Sequence, residues 1–329
     1  MDSARNKKIR LGLRELINDY KNSLKARNRS QKTIFWYEDI LIRYIDFLEI
    51  KGLYKPVESM GRSELDSYIR HLQSLTKWSG NNHVSKDYGK LSPYSIQGHV
   101  RAIKAFWGWL CAEEYIVKNN LERFPLPKVP QYIIRTLSND QIDKLLSLIE
   151  RNTPLGAKYY CIILLLLDTG MRISELVGIR MRDIDVDKGR VKIFGKGGKE
   201  RVVPFCRLTR KEIMHYYNNY RNNSHSRNSD YLFNNRDGDH ISVNSVQQYI
   251  RRLKKRAGFE HIKLSPHIFR HTFATQAVTN DANVLTLQSI MGHQSLQTTL
   301  RYTHLPIDTI KVQHNKFSPV INFKKSVSD

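Results

Sequence analysis

The sequence predicts a mainly α-helical chain of two domains with one small antiparallel β-sheet. Three observations carry this. Apolar residues recur at helical spacing from Leu11 to Trp109, with no strand signal between them. The stretch Phe124-Pro125-Leu126-Pro127-Lys128-Val129-Pro130 then interrupts the pattern with polyproline-like text that resists joining either neighbour. Strand-period text occurs only around Gly195-Lys196-Gly197-Gly198, inside an otherwise helical second half. A length of 329 residues with 40% hydrophobic content suits packed cores in about two domains.

Taken in order, Leu13, Leu16, Ile17 and Tyr20 mark a first helix over Leu11–Leu24. Ser30 caps a second, Thr33–Ile50, whose apolar face carries Ile34, Leu41, Ile45 and Leu48. Ser63–Leu75 is a third, and Thr76–Leu91 is polar and Gly/Asn-rich, hence a surface loop. Ser92-Pro93 opens a fourth, running through Trp109. Beyond the prolines, Ser138-Asn139-Asp140-Gln141 forms a capping box for a helix over Asp140–Ile149. Pro154 precedes a helix to Asp168, and Ser174–Val177 is a short one. Arg190–Phe194 and Arg201–Phe205 then flank the glycine turn as a hairpin. Helices return at Ser242–Ala257, Ser265–Thr279 and Asn283–Met291. The expected division is 1–123 for a helical domain, 124–135 for a linker, 136–304 for a second domain and 305–329 for a tail.

Lys and Arg number 54 against 31 Asp and Glu, a net charge of +23. Such a surplus repels itself unless the usual partner is a polyanion, which argues against a small-molecule enzyme. Three scattered cysteines (Cys111, Cys161, Cys206) suggest a reducing compartment rather than a disulfide framework. No signal-type apolar run follows the N-terminus, and the longest apolar stretch, Cys161–Leu167, is far short of the ~20 residues that span a bilayer. The expectation is a cytoplasmic, nucleoid-associated protein without a membrane partner.

Arg172 follows a strongly apolar helix, where a guanidinium loses hydration unless an anion meets it. Glu175, three residues on, shares its helical face, so a structural pair and an anion site are both open. Lys196 occupies the hairpin turn, which lacks the flanks and pattern of a nucleotide-binding loop. In Ser265-Pro266-His267-Ile268-Phe269-Arg270-His271, serine caps, proline takes the first helical position, and His267 and Arg270 follow one turn apart. That is a phosphate site by construction. His267 and His271 have zinc-like spacing, but no carboxylate completes a metal set and Arg270 repels a cation. His293 ends a helix and Tyr302 follows nine residues later. Two arginines, a lysine, two histidines and a tyrosine without an acidic metal site suit attack on a phosphodiester without metal or other cofactor. A tyrosine nucleophile keeps the bond energy in an aryl phosphate, so the step is reversible.

The order Thr169-Gly-Met-Arg172-Ile-Ser-Glu-Leu, Gly195-Lys196-Gly, His267-x-x-Arg270-His271, Gly292-His293 and Tyr302 closely resembles the tyrosine recombinase (phage integrase) family. Within it, the chain is similar to Xer-type recombinases and to integrases of mobile elements. The resemblance implies a two-domain C-shaped clamp on double-stranded DNA, with residues 1–123 as a SAM-like core-binding domain and 136–304 as the catalytic domain. It implies that Tyr302 attacks the scissile phosphate to give a 3′-phosphotyrosyl link, and that Arg172 and Arg270 clamp the non-bridging oxygens. Lys196 would protonate the leaving 5′-oxygen, His267 would take the tyrosyl proton and His293 would bond the phosphate, with Glu175 behind them. The family also implies a homotetramer on specific recombination sites, tail exchange between subunits and, in some members, accessory DNA-binding proteins. No arm-binding domain is expected before residue 11. The basic run Arg251, Arg252, Lys254, Lys255 and Arg256 is expected to contact phosphate or the major groove. The rivals are a type IB topoisomerase and a catalytically silent DNA-binding regulator.

Overall fold

The computed structural model describes residues 12–75, 89–130, 136–195, 198, 200–221, 229–292 and 299. The chain divides into two compact units, Met1–Tyr132 and Ile133–Asp329. The first is all-helical among its described residues: α1 (Leu13–Ala26), α2 (Gln31–Ile50), α3 (Arg62–Ser74) and α4 (Pro93–Ala112). Each buries the stripe its periodicity marks, such as Leu13, Leu16, Ile17, Tyr20 and Leu24 on α1. Ser30 and Ser92 accept the Thr33 and Ser95 N–H groups as caps. The stripes meet in one core around Tyr44, Leu48, Tyr68, Phe106 and Trp107. Most of the loop expected over Thr76–Leu91 lies outside the described residues, but Leu91 N–H donates to the Leu75 carbonyl, so its ends meet.

Residues 124–130 belong to no helix or strand, as the prolines lead one to expect, and they are held against the first unit. Phe124 is buried. Lys104 Nζ donates to the Glu122 and Phe124 carbonyls, Gln97 Nε2 to Pro127 O at 2.9 Å and Tyr94 Oη to Pro130 O at 2.8 Å. Prolines remove N–H donors but leave every carbonyl, and side-chain donors on and near α4 use them.

The second unit is built on α6 (Pro154–Thr169), which follows α5 (Asn139–Ser147). Ser138 and Gln141 close the expected capping box on α5. The apolar run of α6 is buried on all sides, with Ile162, Ile163, Leu165 and Leu166 fully enclosed. It is a core helix, and among the described residues no helix is long and apolar enough to cross a membrane. The short α7 (Ile173–Val177) follows. A three-stranded antiparallel sheet then runs β1 (Ile184–Asp185), β2 (Arg190–Phe194) and β3 (Glu200–Pro204). The β2–β3 register pairs Phe194 with Glu200, so β3 begins one residue earlier than expected, and Phe205 N–H instead bonds Gly189 O. Helices α8 (Arg207–Tyr216, continued by a π turn over Tyr217–Arg221), α9 (Val243–Arg256), α10 (Pro266–Thr279) and α11 (Val284–Met291) complete the unit. Helix α8 has no side-chain cap, and the N–H of the residue before it, Cys206, donates to distant Asp168 Oδ2 at 2.7 Å. The Ser265 side chain, expected to cap α10, makes no capping bond.

Leu165→Ala is expected to lower unfolding free energy by about 2–5 kcal/mol, because the pocket in α6 has no solvent side through which to relax. Denaturant unfolding should show a lower midpoint with an unchanged slope.

Candidate active site

The site begins where α6 stops. Gly170 takes the left-handed conformation (φ 60°), and an added Cβ there would lie 2.3 Å from the Phe273 ring, so only glycine fits. The chain turns sharply and Arg172 starts α7 in extended conformation. Glu175, in the first turn, reaches back to it. Glu175 Oε2 accepts the Arg172 N–H at 2.8 Å and Oε1 accepts Arg172 Nη1 at 3.0 Å. The expected pair therefore exists, with the Arg172 side chain 40% exposed and the Glu175 side chain 4%.

Arg270 approaches the same turn from α10. Its guanidinium is buried, donating from Nη1 to Gly170 O and from Nη2 to Met291 O at 2.8 Å. Arg270 is thus bonded to the turn that leads into Arg172. His267, one turn before Arg270, is exposed, and His271 is partly buried. Among the described residues no three His, Cys, Asp or Glu side chains converge as a metal set. Lys196, His293 and Tyr302 lie outside the described residues, as does the tail over 305–329.

Arg201 is the side chain that sequence reasoning missed. It donates Nη1 and Nη2 to Glu175 Oε1 and Oε2 at 3.0 and 2.8 Å, and Nε to Ile290 O at 2.7 Å. The signal was available: position 201 shares a strand face with buried Val203, and an inward arginine on a strand needs an anion. Burial alone pushes the Glu175 carboxyl up. The Arg201 fork and its charge, the Arg172 N–H and the Arg172 side-chain hydrogen bond outweigh it, and the carboxyl sits below its ordinary value.

The model for the phage integrase family matches residues 135–307. Tyrosine recombinase XerC of Staphylococcus epidermidis is 31% identical over 280 residues, covering 85% of this chain and 88% of its own. The chain belongs to the phage integrase family. It is a tyrosine recombinase, a site-specific DNA recombinase. XerC of Oceanobacillus iheyensis is 28% identical over 91% of this chain and 94% of its own. Among solved structures, the Tn1549 transposon integrase in complex with transposon right end DNA has TM-score 0.71 at 20% identity, covering 94% of this chain and 100% of that one. A lambda integrase dimer bound to a core site has TM-score 0.65 at 17% identity, covering 88% and 94%. Both share the fold.

In the recombinase, two side chains of the basic run on α9 bond nearby carbonyls. Lys254 Nζ and Arg256 Nη2 donate to the Glu260 and Leu148 carbonyls at 3.4 and 2.7 Å, close to the end of their own helix and of α5. Arg251, Arg252, Lys255 and Arg256 are exposed, while Leu253 between them is in the core.

Because the Glu175 carboxyl is held below its ordinary value of 4.5, its stabilising contribution is complete above that pH and disappears as pH falls through the lowered folded value. Wild type should therefore lose more melting temperature on acidification below about pH 4.5 than Glu175→Gln, which lacks this titration. Equal acid sensitivity of the two proteins would contradict the assignment.

Proposed function

We propose that the recombinase closes its two units around duplex DNA and cuts and rejoins one pair of strands at a time through Tyr302. The observation that carries this is that Arg270 bonds the Gly170 carbonyl of the turn on which Arg172 stands, in a chain whose family match runs past Tyr302. Planar guanidinium groups bind two non-bridging phosphate oxygens better than ammonium does. In the proposed step the Tyr302 oxygen bonds to phosphorus and the bond to the 5′-oxygen breaks. His267 accepts the phenolic proton and Lys196 supplies a proton to the departing 5′-oxygen. His293 hydrogen-bonds the phosphate. The reverse step, with the 5′-hydroxyl of another strand, joins partners through a Holliday junction. Cationic side chains offset the charge of the pentacovalent transition state, so the reaction needs no divalent ion or other cofactor.

The proposed substrate is double-stranded DNA carrying specific recombination sites, handled in the cytoplasm at the nucleoid. The Tn1549 integrase, XerH and lambda integrase structures each contain such DNA, which supports the same substrate class here. Exposed Arg251, Arg252 and Lys255 are suited to phosphate contact, where each removed charge weakens binding and flattens its salt dependence. We assign the active form as a homotetramer in which residues 305–329 dock on a neighbouring subunit, with accessory DNA-binding proteins as further partners. Integration and excision of a mobile element is the favoured role. Resolution of chromosome dimers is the second reading, favoured by the XerC relatives that match most of the chain. Repeats flanking the gene that the purified protein joins would support the first; joining of sites elsewhere in the chromosome, with no such repeats, would support the second.

Tyr302→Phe should bind site DNA like wild type and give no covalent adduct on a nicked suicide duplex; a normal adduct yield would remove Tyr302 from the reaction. Wild-type adduct should form equally in EDTA, and strict dependence on Mg²⁺ would contradict the proposed chemistry. Removal of residues 306–329 should leave single-site binding intact in a mobility-shift assay but impair synapsis, and undiminished recombination would show the tail to be dispensable.

A further inference from the structure

Three segments of the second unit meet on one guanidinium. Arg201 lies on β3, the strand that follows the Lys196 turn, and its side chain is only 13% exposed. It takes both oxygens of Glu175 and the Ile290 carbonyl in the last turn of α11. It also packs on Gly292, where an added Cβ would come within 2.8 Å of Nη1 and where φ is 63°. Gly292 immediately precedes His293.

The competition at Glu175 is what gives Arg201 a role. A carboxylate and a guanidinium left to themselves close into a two-point pair. Here Arg201 already holds that position, so Arg172 contributes a single guanidinium nitrogen to Oε1, and its backbone N–H takes Oε2. We infer that Arg201 is a positioning residue for strand cleavage: by occupying Glu175 at two points it keeps Arg172 from closing onto that carboxylate and leaves the outer part of the Arg172 fork for the scissile phosphate. The same contact ties the strand leading from Lys196 to the turn carrying Arg172 and to the helix end before His293. This rests on the reading of Arg172 as a phosphate ligand given above.

The test is a double-mutant cycle read as the rate of adduct formation on a nicked suicide duplex, with melting temperature followed in parallel. Arg201→Met should slow adduct formation by about tenfold or more, equivalent to about 1.4 kcal/mol of barrier, because Arg172 then closes onto Glu175. Adding Glu175→Gln should recover about threefold or more of that loss, since a neutral amide does not draw in the second Arg172 nitrogen. A merely structural Arg201 gives a double variant no faster than Arg201→Met. That result, or an Arg201→Met rate within about threefold of wild type, overturns the positioning role. If Arg201→Met does not fold, Arg201→Lys, which keeps the charge but not the fork, is compared in the same two backgrounds with the same criterion. Absence of adduct from wild type itself would instead overturn the function on which the inference rests.

Discussion

A carboxylate taken out of water has to be met by donors on every lone pair, and Glu175 is placed so that those donors come from different parts of the chain. Its own helix start supplies the Arg172 N–H and one guanidinium nitrogen, and β3 supplies the Arg201 fork. Arg201 continues to Ile290, while Arg270 joins Met291 back to Gly170. The contacts form a closed circuit through the turn after α6, the end of α11 and the sheet. The backbone on which Arg172 is mounted is held from both sides, and neither side can shift without leaving a buried charge or carbonyl unmatched. Gly170 and Gly292 stand where the circuit leaves no room for a side chain.

The same circuit is consistent with an acidic side chain in the phosphate site proposed above. Two guanidinium groups, those of Arg172 and Arg201, bond one carboxylate, so positive charge remains after Glu175 is neutralised. Such a surplus, fixed before substrate arrives, needs no rearrangement when negative charge builds up on a phosphoryl group. The strongly basic chain as a whole favours approach of a polyanion.

Most of this was legible in the sequence, because periodic apolar stripes, serine caps and a glycine turn are local signals. The four helices of the first unit, the α6 core helix and the β2–β3 hairpin follow from such signals, as does the Arg172–Glu175 pair. What escaped was set by distant partners. Helix α8 starts without a side-chain cap, after a Cys206 N–H that bonds distant Asp168, two-residue β1 is too short to show alternation, and the proline-rich stretch is held by donors from α4. Ser265 stands at the expected place but does not cap. Arg201 was hidden among the charges of a hairpin that reads as solvated, and its inward face becomes apparent only when β3 is registered on β2. Lys254 and Arg256 each donate to a nearby carbonyl, a contact set by chain that the helix alone does not show.

The central claim is that a phenolic oxygen of this chain becomes covalently joined to DNA beside the Arg172–Arg270 turn. Its most direct test is peptide mapping by mass spectrometry of the adduct trapped on a suicide duplex, after digestion with nuclease and trypsin. The account predicts a nucleotide-bearing peptide spanning residues 302–311, with the added mass localised by fragmentation to Tyr302. Added mass on any other residue would contradict it.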